Sequence, residues 1–207
     1  MKIEKFSSFT GLEILKFANL IKSGFDKKLC LDYFIYTRPV HICVAVDEQK
    51  EPFFGKMTVE KVQGSAEYCI DVVNRFLDKN PEQIAEALDL ITEDTKQSSK
   101  EKYIGGIVVE KIPNLDDVFY LDKIVVDKAH RGKGIGKMLW QELNGYSSKL
   151  MWRAKKENPI IDFYAKQSDG SLTFSEISDY AFFYYGINAS QLQTAVDYAT
   201  KKKPTIF

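Results

Sequence analysis

The chain has few of the residues on which metal centres and histidine-activated nucleophiles depend. Its 207 residues include two histidines and three cysteines, Cys30, Cys43 and Cys69, which show no C-x-x-C spacing. This set suits neither a zinc cluster nor a serine–histidine triad, so we predict no metal site. The cysteines are interpreted as buried, reduced thiols of a cytosolic protein.

Excess charge and long apolar runs are also absent. Lys and Arg number 29, as do Asp and Glu, so the formal net charge is zero. This balance gives no support for a nucleic-acid or membrane-surface partner. The N-terminal MKIEKFSSF lacks the apolar core of a signal peptide, and no run reaches the roughly 20 residues of a membrane span. We therefore expect a cytoplasmic protein that binds neither nucleic acid nor membrane.

Strand patterns alternate with helix patterns along most of the chain. Alternating or apolar runs predict strands at 41–46, 103–109, 118–126, 149–154 and 180–187. Helical spacing predicts helices at 10–22 with Thr10 as N-cap, from the glycine loop to about 145, at 160–167 and at 190–201, with a turn at Asp169-Gly170. This alternation predicts a single α/β domain over residues 1–207, with a central mixed sheet flanked by helices.

Residues 48–102 do not fit this alternation. They begin with a possible strand at 53–59, continue as two helical stretches and end in the polar EDTKQSSKE. We interpret the segment as a helical insertion between two adjacent strands of the sheet. Its role is left open between a lid, a dimer contact and a surface decoration.

A glycine-rich turn follows the apolar strand residues Val125 and Val126. Successive backbone N–H groups in such a turn, with a helix N-terminus behind them, suit a pyrophosphate. The turn lacks the Gly-Lys-Ser/Thr ending of a triphosphate loop and departs from the G-x-G-x-x-G spacing of dinucleotide folds. Taken alone, an ordinary strand-to-helix turn is the alternative. The turn consists of Arg131, Gly132, Lys133, Gly134, Ile135 and Gly136.

Several motifs together resemble a known family. The pattern Arg131-x-x-Gly134-x-Gly136 resembles the pyrophosphate loop of the Gcn5-related N-acetyltransferases, which bind acetyl-CoA there. The segments FDKKLxxDY (25–33), YLDK (120–123) and MWRAKKENPIIDFYAKQSDG (151–170) resemble the acetyltransferase domain of vertebrate-like N-acetylglutamate synthases and of bifunctional synthase-kinases. The resemblance covers residues 17–46 and 103–200, and it implies the Gcn5-related N-acetyltransferase fold.

The resemblance implies transfer of an acetyl group from acetyl-CoA to the α-amine of L-glutamate, in arginine biosynthesis. It implies that Val125, Val126 and residues 131–136 hold acetyl-CoA. Tyr164 is then the candidate general acid, and Asn158 positions the amine or polarises the acetyl group. The implied glutamate-binding residues are Lys27, Lys123, Arg153, Lys155 and Asn158.

The chain departs from the family pattern in ways that keep other functions open. Lys155 stands where arginine is common, so bidentate capture of a carboxylate is lost. Ile161-Asp162 replaces an Asn-Pro pair, and without the usual kinase-like domain we do not expect arginine control within this polypeptide. The alternatives are an acetyltransferase for a different small amine, or a non-catalytic acetyl-CoA-binding module that docks on a separate amino-acid kinase subunit. A homodimer also remains open.

Overall fold

The structure is a computed structural model that describes residues 1–27, 29, 32–48, 101–173 and 178–206. Within them, the strands are β1 (Lys2–Phe6), β2 (Pro39–Glu48), β3 (Glu101–Lys111), β4 (Phe119–Val126), β5 (Leu150–Lys155), β6 (Gly170–Thr173) and β7 (Tyr180–Tyr185). The helices are α1 (Ile14–Phe25), α2 (Asp32–Tyr36), α3 (Ile135–Tyr146), α4 (Ile161–Gln167) and α5 (Ala189–Lys201), with a short 3₁₀ helix at Lys128–His130.

The strands form one sheet in the order β1-β2-β3-β4-β5-β7-β6. Neighbours are antiparallel except β4 and β5, which run parallel. A parallel pair needs a crossover connection, and α3 supplies it. The predicted mixed α/β sheet with flanking helices is therefore confirmed.

Alternate strand residues divide the core between the two faces of the sheet. On one face, α3 and α4 pack over a cluster that includes Trp140 and Trp152. On the other, α1 and α2 cover the β2–β4 half around Phe17 and Ile42. Also on that face, α5 covers the half around Met151 and Phe182. The two parallel strands thus lie between helices on both faces.

Some predicted boundaries were wrong. Helix α1 begins at Ile14 with Glu13 as N-cap, because Thr10 lies in a turn that Gly11 makes with a φ of 79°. The predicted turn at Asp169-Gly170 is instead the start of edge strand β6, which pairs with β7. Strand β1 and helix α2 were not predicted. A short strand or a single helical turn depends on its tertiary partners more than on its own sequence.

The predicted insertion joins two neighbouring strands, since Glu48 of β2 pairs with Glu101 of β3. The strand and helices predicted within it lie outside the described residues, so its structure and the domain bounds stay predictions. Among the described helices, none is long and apolar enough to cross a membrane.

Candidate active site

The two parallel strands separate partway along their length. They pair from Phe119–Leu150 to Leu121–Trp152. Beyond that point the ladders that the described residues form run from β4 to β3, as far as Val126, and from β5 to β7, as far as Lys155. A crevice therefore opens at the carboxyl ends of these strands, where α/β sheets bind ligands.

A bulge in β4 lies at the mouth of this crevice. Val108 of β3 pairs with Lys123 and Val109 pairs with Leu121, so Asp122 is the extra residue. A bulge of this kind re-aims side chains near active sites. Here it brings Asp122 and Lys123 to the same side of the sheet, with Lys123 Nζ 2.7 Å from Asp122 Oδ2.

The predicted phosphate loop follows β4 and ends at the N-terminus of α3. Gly132 and Gly134 have φ values of 78° and 80°, a region that L side chains rarely adopt, so the backbone itself requires glycine there. Gly136 is different, because a Cβ there would make an ordinary 3.7 Å contact with Val126.

The environment of the α3 N-terminus suits an anion. Its first turn contains no acidic residue, although acids are favoured at such positions, and Lys133 and Lys137 are exposed there. A Cβ on Gly132 or Gly134 would meet no atom of the described structure within 4 Å. Free N–H groups, nearby cations and open space fit a pyrophosphate such as that of acetyl-CoA.

Arg131 connects the loop to α1. Its guanidinium donates a hydrogen bond to the Gly24 carbonyl, near the α1 C-terminus, where a cation is favourable. Gly24 packs so closely on Val125 of β4 that a Cβ would clash. Arg131 therefore fixes the loop against the helix. At the helix start, the exposed Lys133 and the buried Ile135 complete the predicted cofactor segment.

Asp127 anchors the entrance to the loop. Its side chain is 3% exposed and accepts hydrogen bonds from Ser23 Oγ, Lys102 Nζ and the Ala129 N–H, and His130 Nδ1 lies 3.0 Å away. Burial by itself would raise the pKa of Asp127, but these hydrogen bonds outweigh it and hold the pKa well below its ordinary value.

We expect Asp127→Asn to lower the free energy of unfolding at pH 7 by roughly 2 kcal/mol, since hydrogen bonds to a charged group are lost. A depressed pKa stabilises the fold above the unfolded value of about 3.9 and loses that contribution as the pH falls. The difference between wild type and variant should therefore shrink towards pH 3 in urea unfolding. Asp116→Asn is the control, because that carboxylate is fully exposed; an equal effect in both variants would contradict the assignment.

Lys123 is buried on β4, just past the point where β4 and β5 separate. Its side chain is 8% exposed, its ammonium lies 4.7 Å from the Tyr33 ring centre, and it is paired with Asp122. Burial by itself would raise the pKa of Asp122, but Lys123 and Lys202 outweigh it and lower the pKa. The predicted glutamate ligand thus belongs to a buried ion pair.

Arg153 lies on the facing strand β5. Its guanidinium stacks on the Tyr180 ring at 4.3 Å and donates to the carbonyls of Ala199 and Lys202, at 2.7 and 2.5 Å. Lys155 lies two residues further along β5 and is exposed. Lys27 is exposed after the left-handed Asp26 that ends α1.

Tyr164 and Asn158 lie at the helix that follows β5. Tyr164 is buried against Trp140, Trp152 and Phe183, and burial raises the pKa of its hydroxyl. Within the described part of the chain, no group hydrogen-bonds to that hydroxyl. Asn158 Oδ1 accepts from the Ile160 N–H at 3.2 Å, which leaves its amide hydrogens directed elsewhere.

Sequence reasoning missed the acidic partners of the predicted cations. Glu110 of β3 is 7% exposed in its side chain and pairs with Lys202, 2.5 Å away. Burial and the nearby Asp122 carboxylate raise the pKa of Glu110 despite Lys202. The available signal was an acid within an apolar strand, at both Glu110 and Asp122. In the described residues, no cluster of three or more His, Cys, Asp or Glu side chains could hold a metal ion.

The family model described as the N-acetyltransferase (NAT) of N-acetylglutamate synthase matches residues 62–202, starting inside the predicted insertion. The chain is 37% identical over 87 residues to human mitochondrial N-acetylglutamate synthase, covering 42% of this chain and 16% of that protein. It is 28% identical over 109 residues to acetylglutamate kinase of Xanthomonas campestris, covering 51% of this chain and 25% of that one.

The fold is also similar to that of a solved structure. Arabidopsis thaliana NAA60, crystallised with a bisubstrate analogue, superposes with a TM-score of 0.50 at 14% identity, over 89% of this chain and 97% of that one. The chain spans about a quarter or less of the length of the two relatives above. The family match covers most of the chain, which therefore belongs to the N-acetyltransferase domains of the N-acetylglutamate synthase family.

Proposed function

We propose that this protein is an acetyl-CoA:L-glutamate N-acetyltransferase that makes N-acetylglutamate for arginine biosynthesis. One observation carries the proposal. Lys123 and Arg153, from separate family motifs, lie on either side of the point where β4 and β5 separate. The anion-binding end of α3 lies just past the end of the same β4. A cationic acceptor site and a pyrophosphate site thus open on one crevice.

The chain's own groups suit the binding of acetyl-CoA. The N-terminus of α3, with Lys133 and Arg131 beside it, would hold the pyrophosphate. Past Leu121, the β5-facing edge of β4 has no strand partner among the described residues. A backbone N–H near Val126 would then be available to polarise the acetyl oxygen. The proposed reaction does not use a metal ion.

The side of the crevice that holds Lys123 and Arg153, which we call the acceptor side, would bind the two carboxylates of glutamate. Lys123 and Arg153 supply buried and half-buried charge, and Lys27 and Lys155 supply exposed charge. Charge-assisted hydrogen bonds are the strong means of holding a carboxylate. Asn158, at the start of α4, would orient the α-amine towards the thioester.

The reaction is then a direct transfer without a covalent enzyme intermediate. The amine nitrogen, after losing a proton through water, attacks the thioester carbonyl carbon, and the carbon–sulfur bond breaks. The electron pair of that bond leaves on sulfur as a thiolate. The attacking nitrogen gives its second proton to water as it becomes the amide nitrogen, and the thiolate takes a proton from water to become the thiol. The Tyr164 hydroxyl has no hydrogen-bond partner among the described residues, and it would donate a hydrogen bond to the departing sulfur.

The proposal is tested by thiol release from acetyl-CoA with purified protein and L-glutamate. We expect glutamate-dependent release, with N-acetylglutamate identified by mass spectrometry. Aspartate, glutamine and spermidine serve as comparison acceptors at equal concentration. Faster release with another amine would overturn the acceptor assignment while keeping the acetyltransferase. No release with any amine, despite CoA binding, would overturn the enzymatic function.

A different small amine is the second candidate acceptor. Asp122 already neutralises Lys123, and Arg153 donates to backbone carbonyls, so the site holds less free positive charge than its cation count suggests. The exposed Asp162 reduces it further, and Lys155 offers a point charge where a guanidinium would give a bidentate contact. A less acidic acceptor would fit this balance, and the same panel of amines separates the two.

A docking role beside an amino-acid kinase is the third candidate. The Xanthomonas campestris relative is named acetylglutamate kinase, and the matched part is a quarter of it. Under this proposal the chain binds CoA without turnover and co-purifies with a separate kinase subunit. Whether the protein forms a homodimer is a separate question. A dimer would show twice the molar mass of one chain when the purified protein is measured by light scattering.

A further inference from the structure

Residues 202–206 cross the acceptor side of the crevice. Helix α5 ends at Lys201, and Lys202 is extended, with φ −63° and ψ 124°. Four residues later Ile206 forms an antiparallel bridge with Leu29, and it packs on the cluster under α1. Four residue steps span at most about 14 Å. We call this segment the strap.

The three family motifs that contain the predicted glutamate-binding residues all contact the strap, lie beside its contacts, or contact the C-terminal end of α5, where the strap begins. Arg153 donates to the carbonyls of Ala199 and Lys202. Lys27 lies two residues before Leu29, which the strap pairs with. Lys123 shares the Asp122 carboxylate with Lys202, whose Nζ lies 3.7 Å from Asp122 Oδ1. Segments far apart in sequence are thus held together by five residues.

The Lys202 ammonium lies close to two buried carboxylates, those of Glu110 and Asp122. Its ammonium is 2.5 Å from Glu110 Oε1 and lies 5.7 Å from the ring centres of both Tyr120 and Tyr198. The hydroxyl of Tyr198 donates to the other oxygen of Glu110 at 3.2 Å. Glu110 and Asp122 therefore face two ammonium groups, those of Lys202 and Lys123.

This balance determines how strongly Asp122 holds Lys123. With Lys202 present, the Asp122 carboxylate divides its interaction between two cations, one on each oxygen. Without Lys202, both Asp122 and Glu110 would depend on Lys123 for compensation. Buried charges left unpaired are strongly unfavourable, so Lys123 would be drawn away from an incoming carboxylate.

We propose that the strap closes the acceptor side of the site and that Lys202 is a positioning residue, which acts through Asp122 to keep Lys123 available for an acceptor carboxylate. The inference rests on the proposed acetyltransferase function and names a determinant of acceptor affinity within it. It assigns no contact between Lys202 and the acetyl-CoA end of the crevice.

The test compares Lys202→Met with Lys203→Met. Lys203 is the next residue, is exposed and carries the same charge. We expect Lys202→Met to raise the acceptor KM about tenfold and to leave the acetyl-CoA KM unchanged. Lys203→Met should leave both unchanged. Lys202→Arg, which keeps the charge, should recover most of the acceptor affinity.

A second variant separates positioning from folding. Lys202→Met leaves Glu110 without its cation, so the fold itself could be weakened. The double variant Glu110→Gln/Lys202→Met removes that unpaired charge, so it should recover the wild-type melting temperature. Its acceptor KM should still be raised, because the Asp122 carboxylate then interacts with the Lys123 ammonium and no longer with that of Lys202. A double variant with wild-type acceptor KM would overturn the proposal, as would equal effects of Lys202→Met and Lys203→Met.

The rates of the wild-type protein with the panel of amines test the proposed function separately from the strap. The variants are compared with whichever acceptor the wild type uses fastest. A wild type that prefers another carboxylate-bearing amine over glutamate would therefore overturn the acceptor assignment while the strap is still tested. If the wild type is active and Lys202→Met leaves the acceptor KM unchanged, the proposed role of the strap is overturned and the proposed function is kept.

Discussion

Tyr164→Phe is expected to lower kcat about 100-fold, the usual effect of losing one positioned proton or hydrogen-bond donor. The KM values should change little, because the aromatic ring remains to pack against Trp140 and Trp152. Burial raises the pKa of Tyr164, so the hydroxyl keeps its proton at neutral pH. Steady-state kinetics with both substrates varied would measure the effect.

The raised pKa also predicts how Tyr164 acts. A thiol has a pKa of about 8.5, so complete transfer of the proton to the leaving thiolate would be uphill. Donation of a hydrogen bond to the developing charge is favoured instead. We therefore expect kcat to show no loss from tyrosine ionisation below about pH 10. A fall near pH 8 that Tyr164→Phe abolishes would contradict this.

Tyr185→Phe is the matched control for the loss of a hydroxyl. Tyr185 packs on the same Trp152 ring, but its hydroxyl donates to the Ser147 carbonyl at 2.6 Å. Its loss should lower stability by about 1 kcal/mol and leave kcat near the wild-type value. Wild-type kcat in Tyr164→Phe, or an equal loss in both variants, would remove Tyr164 from the reaction.

Gly134→Ala is expected to destabilise the fold by about 1–2 kcal/mol, because a Cβ is strained at its φ of 80°. It should also raise the acetyl-CoA KM, because Gly134 is the N-cap of α3 at the proposed pyrophosphate site. Thermal unfolding gives the first effect, and steady-state kinetics at saturating acceptor gives the second.

Gly145→Ala, in the same helix, should act in the opposite direction. Gly145 has no strained φ, and an added Cβ would meet no described atom within 4 Å. Alanine in a helix is favoured over glycine by roughly 0.5–1 kcal/mol, so this variant should be more stable, with unchanged kinetics. Shifts of the same sign in both variants would mean that the loop geometry does not require Gly134.

The sequence by itself determined the class of fold, the family and the glycine turn before α3. Each of these depends on local pattern. Strand alternation and helix periodicity follow from backbone geometry, and the positive φ of Gly132 and Gly134 requires glycine at fixed positions. The parallel pair β4 and β5 follows from a strand, a loop, a helix and a second strand in order.

The tertiary structure decided how the candidate cations are paired. The four cations named from sequence include Lys123 and Arg153. The fold pairs Lys123 with Asp122 through a bulge in β4 and directs Arg153 to carbonyls at the end of α5. It also brings in Glu110 and Lys202, which lie 92 residues apart in the chain. Local pattern predicts which residues are charged, but the net field at a buried site depends on which distant groups the fold brings within a few ångströms, where Coulomb energy is largest.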